Sequence, residues 1–102
     1  MQTSLEKNFE NKVALVTGGS FGIGKATAVA FAQRGAKVVI VDVLENPDAM
    51  KEIKAAGSEG IFIKCDVSKE KDVSEMIDKA MSHFGKLNMA FNNAGIEGQM
   101  AN

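Results

Sequence analysis

Three glycines and one aspartate are the residues of this chain whose types and spacing point most directly to chemistry. Gly18, Gly22 and Gly24 lie in Thr17-Gly18-Gly19-Ser20-Phe21-Gly22-Ile23-Gly24, between a short apolar run and a helical pattern. Glycines there permit a tight chain reversal and remove side chains where a diphosphate must approach backbone N–H groups. The first turn of the following helix then directs its partial positive charge at that anion. Ile23 is expected to contribute a backbone donor while its side chain packs inward. Ser20 is expected to donate to a ribose or phosphate oxygen. The competing reading is a tight turn capped by Ser20 with no ligand. A Walker-type phosphate loop is disfavoured, because Lys25 follows Gly24 without a Gly-Lys-Ser/Thr sequence.

Asp42 stands 18 residues after Gly24, at the end of Val38-Val39-Ile40-Val41. A carboxylate there accepts hydrogen bonds from both hydroxyls of an adenosine ribose and repels a 2′-phosphate. Phe21 occupies the turn where a basic residue would greet that phosphate, and Val43 follows Asp42. These features favour NAD over NADP. The alternative leaves Asp42 as a solvent-exposed turn cap. Asp66, after Ile61-Phe62-Ile63, is placed to meet an adenine amino group with Val67 flanking the ring; it can equally cap the turn into the next helix.

The elements that position these residues follow from apolar patterning. Val13–Val16, Val38–Val41 and Ile61–Ile63 are short, continuously apolar and rich in β-branching, and Leu87–Phe91 is a fourth, less β-branched run. Continuity rather than alternation predicts strands covered on both faces, as in a parallel sheet. A helix is expected from about Gly22–Gly24 to Arg34, ended by Gly35. A second is announced by Asn46-Pro47, with Met50, Ile53 and the stem of Lys54 on its inner face, before Gly57. Val73, Met76, Ile77, Ala80, Met81 and Phe84 advance at three- and four-residue steps in a third, capped by Ser68 and ended by Gly85.

Strand-helix repeated three times and followed by a fourth strand is half of a doubly wound α/β fold, a partial Rossmann arrangement. The expected strand order is 3-2-1-4, ending before a fifth strand. Residues 1–102 read as the N-terminal part of one dinucleotide-binding domain with no internal boundary. In that order Leu87, Met89 and Phe91 lie on an unpaired edge, which invites aggregation, swapping or completion by another segment.

Composition narrows the function classes. Apolar residues make up 45% and charged residues 25%, with a formal charge of -1. This is ordinary for a globular domain and gives no electrostatic reason to expect nucleic acid or an anionic membrane as partner. A single cysteine, Cys65, excludes an intrachain disulfide, and a buried strand-end role is its simplest reading. One histidine, His83, and one distant cysteine offer no metal constellation. The polar N-terminus does not resemble a secretory signal, and no apolar run approaches membrane-spanning length. A cytoplasmic location is expected.

Taken together, Thr17-Gly18-x-x-x-Gly22-Ile23-Gly24, Asp42, Asp66-Val67 and Asn92-Asn93-Ala94-Gly95 resemble the classical short-chain dehydrogenase/reductase family from Lys12 to Ile96. The resemblance implies that Gly18, Ser20, Phe21, Gly22, Ile23 and Gly24 line the adenosine and diphosphate path. It assigns Asp42 and Val43 to the ribose, and Asp66 and Val67 to the adenine. Asn93, Ala94 and Gly95 would support the sheet centre and approach the cofactor, and Thr17 would tie the first turn to that segment. A role for Asn92 and Asn93 as turn residues only stays open.

The family transfers hydride between a nicotinamide and a carbonyl or alcohol carbon, using a serine and a Tyr-x-x-x-Lys pair. This chain contains no tyrosine. The resemblance therefore implies the cofactor-binding half of an NAD-dependent oxidoreductase, catalytically silent by itself. Its small-molecule substrate and homo-oligomeric assembly would belong to the complete protein. The alternatives are a non-catalytic protein binding NAD or another adenosine nucleotide, and a structural fragment completing another chain.

Overall fold

In a computed structural model that describes residues 8–93, four parallel strands form one sheet in the order β3-β2-β1-β4. The elements run β1 (Val13–Thr17), α1 (Gly22–Gln33), β2 (Lys37–Asp42), α2 (Pro47–Ala55), β3 (Gly60–Lys64), α3 (Glu70–Phe84) and β4 (Met89–Asn92). The fourth strand begins two residues later than the apolar run suggested. Asn88 takes over just before it, accepting from Val13 N–H through Oδ1 at 2.9 Å and donating its own N–H to Val13 O.

The apolar runs form strands because both faces are covered. Val38 and Ile40 pack with Val16 against Ala28 and Ala32 of α1 and Ala49 and Ile53 of α2. Val39 and Val41 point the other way, with Val13, Leu15 and Ile63, against Met76 and Ala80 of α3. Strand periodicity thus feeds two cores from one sequence run. Each fully buried valine or isoleucine contributes about 1.5–3 kcal/mol of apolar burial, set against the ordering of the chain. Ala28 and Ala32 have no exposed surface, so α1 lies close on the sheet. A leucine at either position would overpack it by about 1–3 kcal/mol.

The helix boundaries obey local chemistry at most ends. Asn46 caps α2 by accepting from Asp48 N–H at 3.1 Å, with Pro47 at the first helical position. Gly35, Gly57 and Gly85 follow the three helices with positive φ. Two expectations are corrected. Ser68 does not cap α3: Lys69 occupies that position without a side-chain cap, and Ser68 is committed to Asp66 instead. Lys54 is exposed, and Ala49 supplies the inner face of α2 with Ile53.

The chain steps from β1 to β2 to β3 and then returns to place β4 on the other side of β1. That reversal opens a crevice above the C-terminal end of β1, where doubly wound folds take their ligands. As expected, β4 pairs with β1 and is an edge strand of the described sheet.

Candidate dinucleotide site

The glycine turn is built by contact between its own ends. Gly18 has φ of 65° and Gly22 φ of 58°, both in the region that favours glycine. A Cβ on Gly24 would overlap Gly18 O and come 2.9 Å from Asn93 Nδ2. Only a residue without a side chain lets α1 start this close to β1. Above the turn there is room: a Cβ on Gly22 would meet nothing within 4 Å.

Backbone donors divide into two groups. Gly18 N–H bonds Val41 O at 2.7 Å, and Gly19 N–H reaches the same oxygen at 3.4 Å. These two amides extend the sheet. The first backbone bond of α1 runs from Lys25 N–H to Phe21 O, so Gly22, Ile23 and Gly24 have no intrahelical acceptor for their N–H groups. The first turn of α1 holds no acidic residue and Phe21 provides no side-chain cap, whereas α2 and α3 carry Asp48, and Glu70 with Asp72, in their first turns. The positive end of α1 is therefore not neutralised by a side chain of its own first turn. Lys25 is committed elsewhere: its ammonium sits 2.6 Å from Glu52 on α2, and that contact raises its pKa.

Asp42 closes the neighbouring side. Its Oδ2 accepts from Ser20 N–H at 3.2 Å, and its Oδ1 accepts from Val43 N–H at 2.7 Å and Leu44 N–H at 3.4 Å. A carboxylate offers about four acceptor sites, so capacity for a further hydroxyl remains. Of the two sequence readings of Asp42, the structure shows the turn cap, in a half-buried rather than fully exposed group.

Ser20 departs from expectation. It is fully buried, and its hydroxyl donates to Leu44 O at 2.6 Å. That proton fastens the loop after β2 rather than facing a ligand. Ile23 also departs: its side chain is 68% exposed instead of packing inward. Phe21, Val43, Leu44 and Val67, on the loops that follow β1, β2 and β3, are exposed as well, so apolar side chains line this end of the sheet from those loops and from the first turn of α1.

Asp66 bonds Ser68 twice through Oδ1, from the amide at 3.0 Å and the hydroxyl at 2.6 Å. The Ser68 hydroxyl, followed by its amide, holds the Asp66 carboxyl below the usual range. Its own N–H donates to Asp72 Oδ2 at 3.1 Å. The turn-capping reading of Asp66 is thus realised. Cys65 beside it is buried, and desolvation, with lesser effects of Asp72 and Asp66, pushes its thiol up.

β4 fastens the turn from beneath. Thr17 Oγ1 donates to Asn92 Oδ1 at 2.9 Å, as the sequence suggested, and buried Asn93 reaches Gly18 O through Nδ2 at 3.4 Å. Ala94 and Gly95 lie outside the described residues. Sequence reasoning missed Asn46 as a site residue. It read as a cap alone, yet its Nδ2 donates to Ser20 O at 2.7 Å. The signal was available: an asparagine cap uses only its oxygen and leaves two donors.

A concavity of about 480 Å³ lined by Glu10, Asn11, Gly35, Lys37, Gly57, Ser58 and Glu59 lies at the opposite, N-terminal end of the strands. No described helix is long and apolar enough to cross a membrane, and no described cluster of His, Cys, Asp or Glu is arranged to hold a metal.

The model of the short chain dehydrogenase family matches residues 12–102. The chain belongs to the short-chain dehydrogenase family. Within reach of that family, it is 47% identical over 94 residues to tropinone reductase-like 1 of Erythroxylum coca, covering 91% of this chain and 34% of that protein. The hydroxysteroid dehydrogenase of Escherichia coli superposes with a TM-score of 0.76 at 35% identity, over 87% of this chain and 38% of the other. A NAD+-bound xylitol dehydrogenase superposes at 0.74 with 33% identity, over 82% and 33% respectively. The chain spans about a third of the length of these relatives.

Proposed function

We propose that this chain is the NAD-binding half of an oxidoreductase acting between an alcohol and a carbonyl. The observation that carries the reading is the set of N–H groups at Gly22, Ile23 and Gly24 without intrahelical acceptors, beside the Asp42 carboxylate. The donors suit a diphosphate, the carboxylate suits the adjacent ribose, and the apolar rim of Phe21, Val43 and Val67 suits an adenine face. Bound there, the nicotinamide would supply hydride exchange.

Asp42 supports NAD over NADP, because a 2′-phosphate would bring a second anion against an acid already held in place by three backbone amides. Membership in a family whose similar members are described as reductases and dehydrogenases favours an enzyme over a purely nucleotide-binding or structural protein. With no tyrosine in its 102 residues, the chain has no Tyr-x-x-x-Lys to handle the substrate proton and is inactive alone. The substrate and any homo-oligomeric assembly belong to the complete protein, and a cytoplasmic location fits the single buried thiol.

Fluorescence titration with NADH and NADPH tests the reading. Saturable NADH binding, tighter than NADPH binding and without turnover of added carbonyl compounds, is expected. Equal or tighter binding of NADPH would refute the preference, and no binding of either would refute the site.

A further inference from the structure

Every polar group of Ser20 is held by the last residue of β2 or by the segment that follows it. Its N–H donates to Asp42 Oδ2, its hydroxyl to Leu44 O, and its carbonyl accepts from Asn46 Nδ2 at 2.7 Å. Asn46 at the same time caps α2 through Oδ1. We propose that Asn46 is a positioning residue for the diphosphate turn, coupling the start of α2 to the orientation of the donors that open α1. The inference rests on the dinucleotide reading of the site.

The physical argument runs through one peptide group. Ser20 O and Phe21 N–H belong to the same planar unit, which is trans. Fixing the carbonyl on Asn46 therefore fixes the plane from which the chain enters α1, and with it the direction of the Gly22 and Ile23 donors. Phe21 supplies no side-chain bond to do this itself, and the flanking Gly18 and Gly22 are the most permissive points of the turn. Ser20 is fully buried, so its carbonyl is removed from solvent and Asn46 provides its donor. An oriented set of amides binds an anion without first being ordered, and loosening the clamp would add that ordering cost to binding.

The test separates the two ends of Asn46. Asn46→Ser keeps a strong helix cap but removes the amide donor, whereas Asn46→Ala removes both. In the full chain, Asn46→Ser is expected to melt modestly below the unsubstituted protein, because the buried Ser20 carbonyl loses its donor. NADH and ADP should bind about tenfold more weakly, the size of effect of losing one hydrogen-bonded constraint, while adenosine binds unchanged. Asn46→Ala should show the same binding loss with a still lower melting temperature, since the cap on α2 is lost as well. ADP affinity unchanged in Asn46→Ser would overturn the proposal, as would a loss for adenosine equal to that for ADP. If the unsubstituted chain binds NADH and the variants match it, the positioning role alone falls. If the unsubstituted chain binds no NADH, the dinucleotide reading falls and takes this role with it.

Discussion

Gly24 sits directly against Gly18, with no room between the Cα of one and the carbonyl of the other for a single methyl group. The contact sets how near α1 begins to β1, and hence how near its first amides stand to the crevice. It also separates two glycines that look alike in the sequence, since Gly22 faces open space but needs its positive φ.

Gly24→Ala and Gly22→Ala should therefore behave differently. The first forces backbone apart and pushes on Asn93, costing about 3 kcal/mol or more. The second pays only the left-handed conformation, about 1–2 kcal/mol. Urea denaturation of the two variants measures the contrast, and equal midpoints would contradict the packing described.

Replacing Asp42 by asparagine keeps the shape of the group and discards its charge. NADH affinity should fall about tenfold, and the preference over NADPH should shrink, because the repulsion of the 2′-phosphate is gone. Paired titrations with both dinucleotides read this out. An unchanged ratio would mean that the carboxylate serves only its own turn.

Cys65 should be nearly inert in the folded protein. Burial raises its thiol above the ordinary range, so less thiolate forms at a given pH. The raised folded value means that the folded state holds the proton longer than the unfolded one. The resulting stability is complete below the unfolded thiol value and declines as pH rises through it towards the folded value. Alkylation followed with and without urea should show rapid reaction only on unfolding. Cys65→Ala should flatten the alkaline decline in the urea midpoint.

Asp66 makes the opposite prediction at acid pH. Ser68 holds its folded carboxyl below the unfolded value, so the unfolded state takes up the proton first. This stability is present above the unfolded carboxylate value, about 4, and is lost as pH falls through the depressed folded value. Ser68→Ala should lower the urea midpoint at neutral pH and change it less near pH 3, so that its acid dependence weakens. A parallel drop at both pH values would assign Ser68 a role independent of this proton.

The sequence determined what local chemistry controls. β-Branched runs at Val13, Val38 and Ile61 marked the strands, because crowded side chains favour an extended backbone. Asn46-Pro47 and Gly85 marked helix ends through bonds and torsions confined to a few residues. The strand order and the tie from Thr17 to Asn92 were also legible, the first from the strand–helix alternation, the second through family resemblance. Tertiary structure decided where hydrogen-bonding groups with several possible partners went. Ser20 gave its hydroxyl to Leu44, 24 positions away, because the parallel register of β1 on β2 brings those loops together. Asn46 became a clamp on Ser20 for the same reason. Ser68 turned back to Asp66 and left α3 without its expected cap. A residue's type states what it can donate or accept; which acceptor it meets depends on sheet register, and register is a property of the assembled chain.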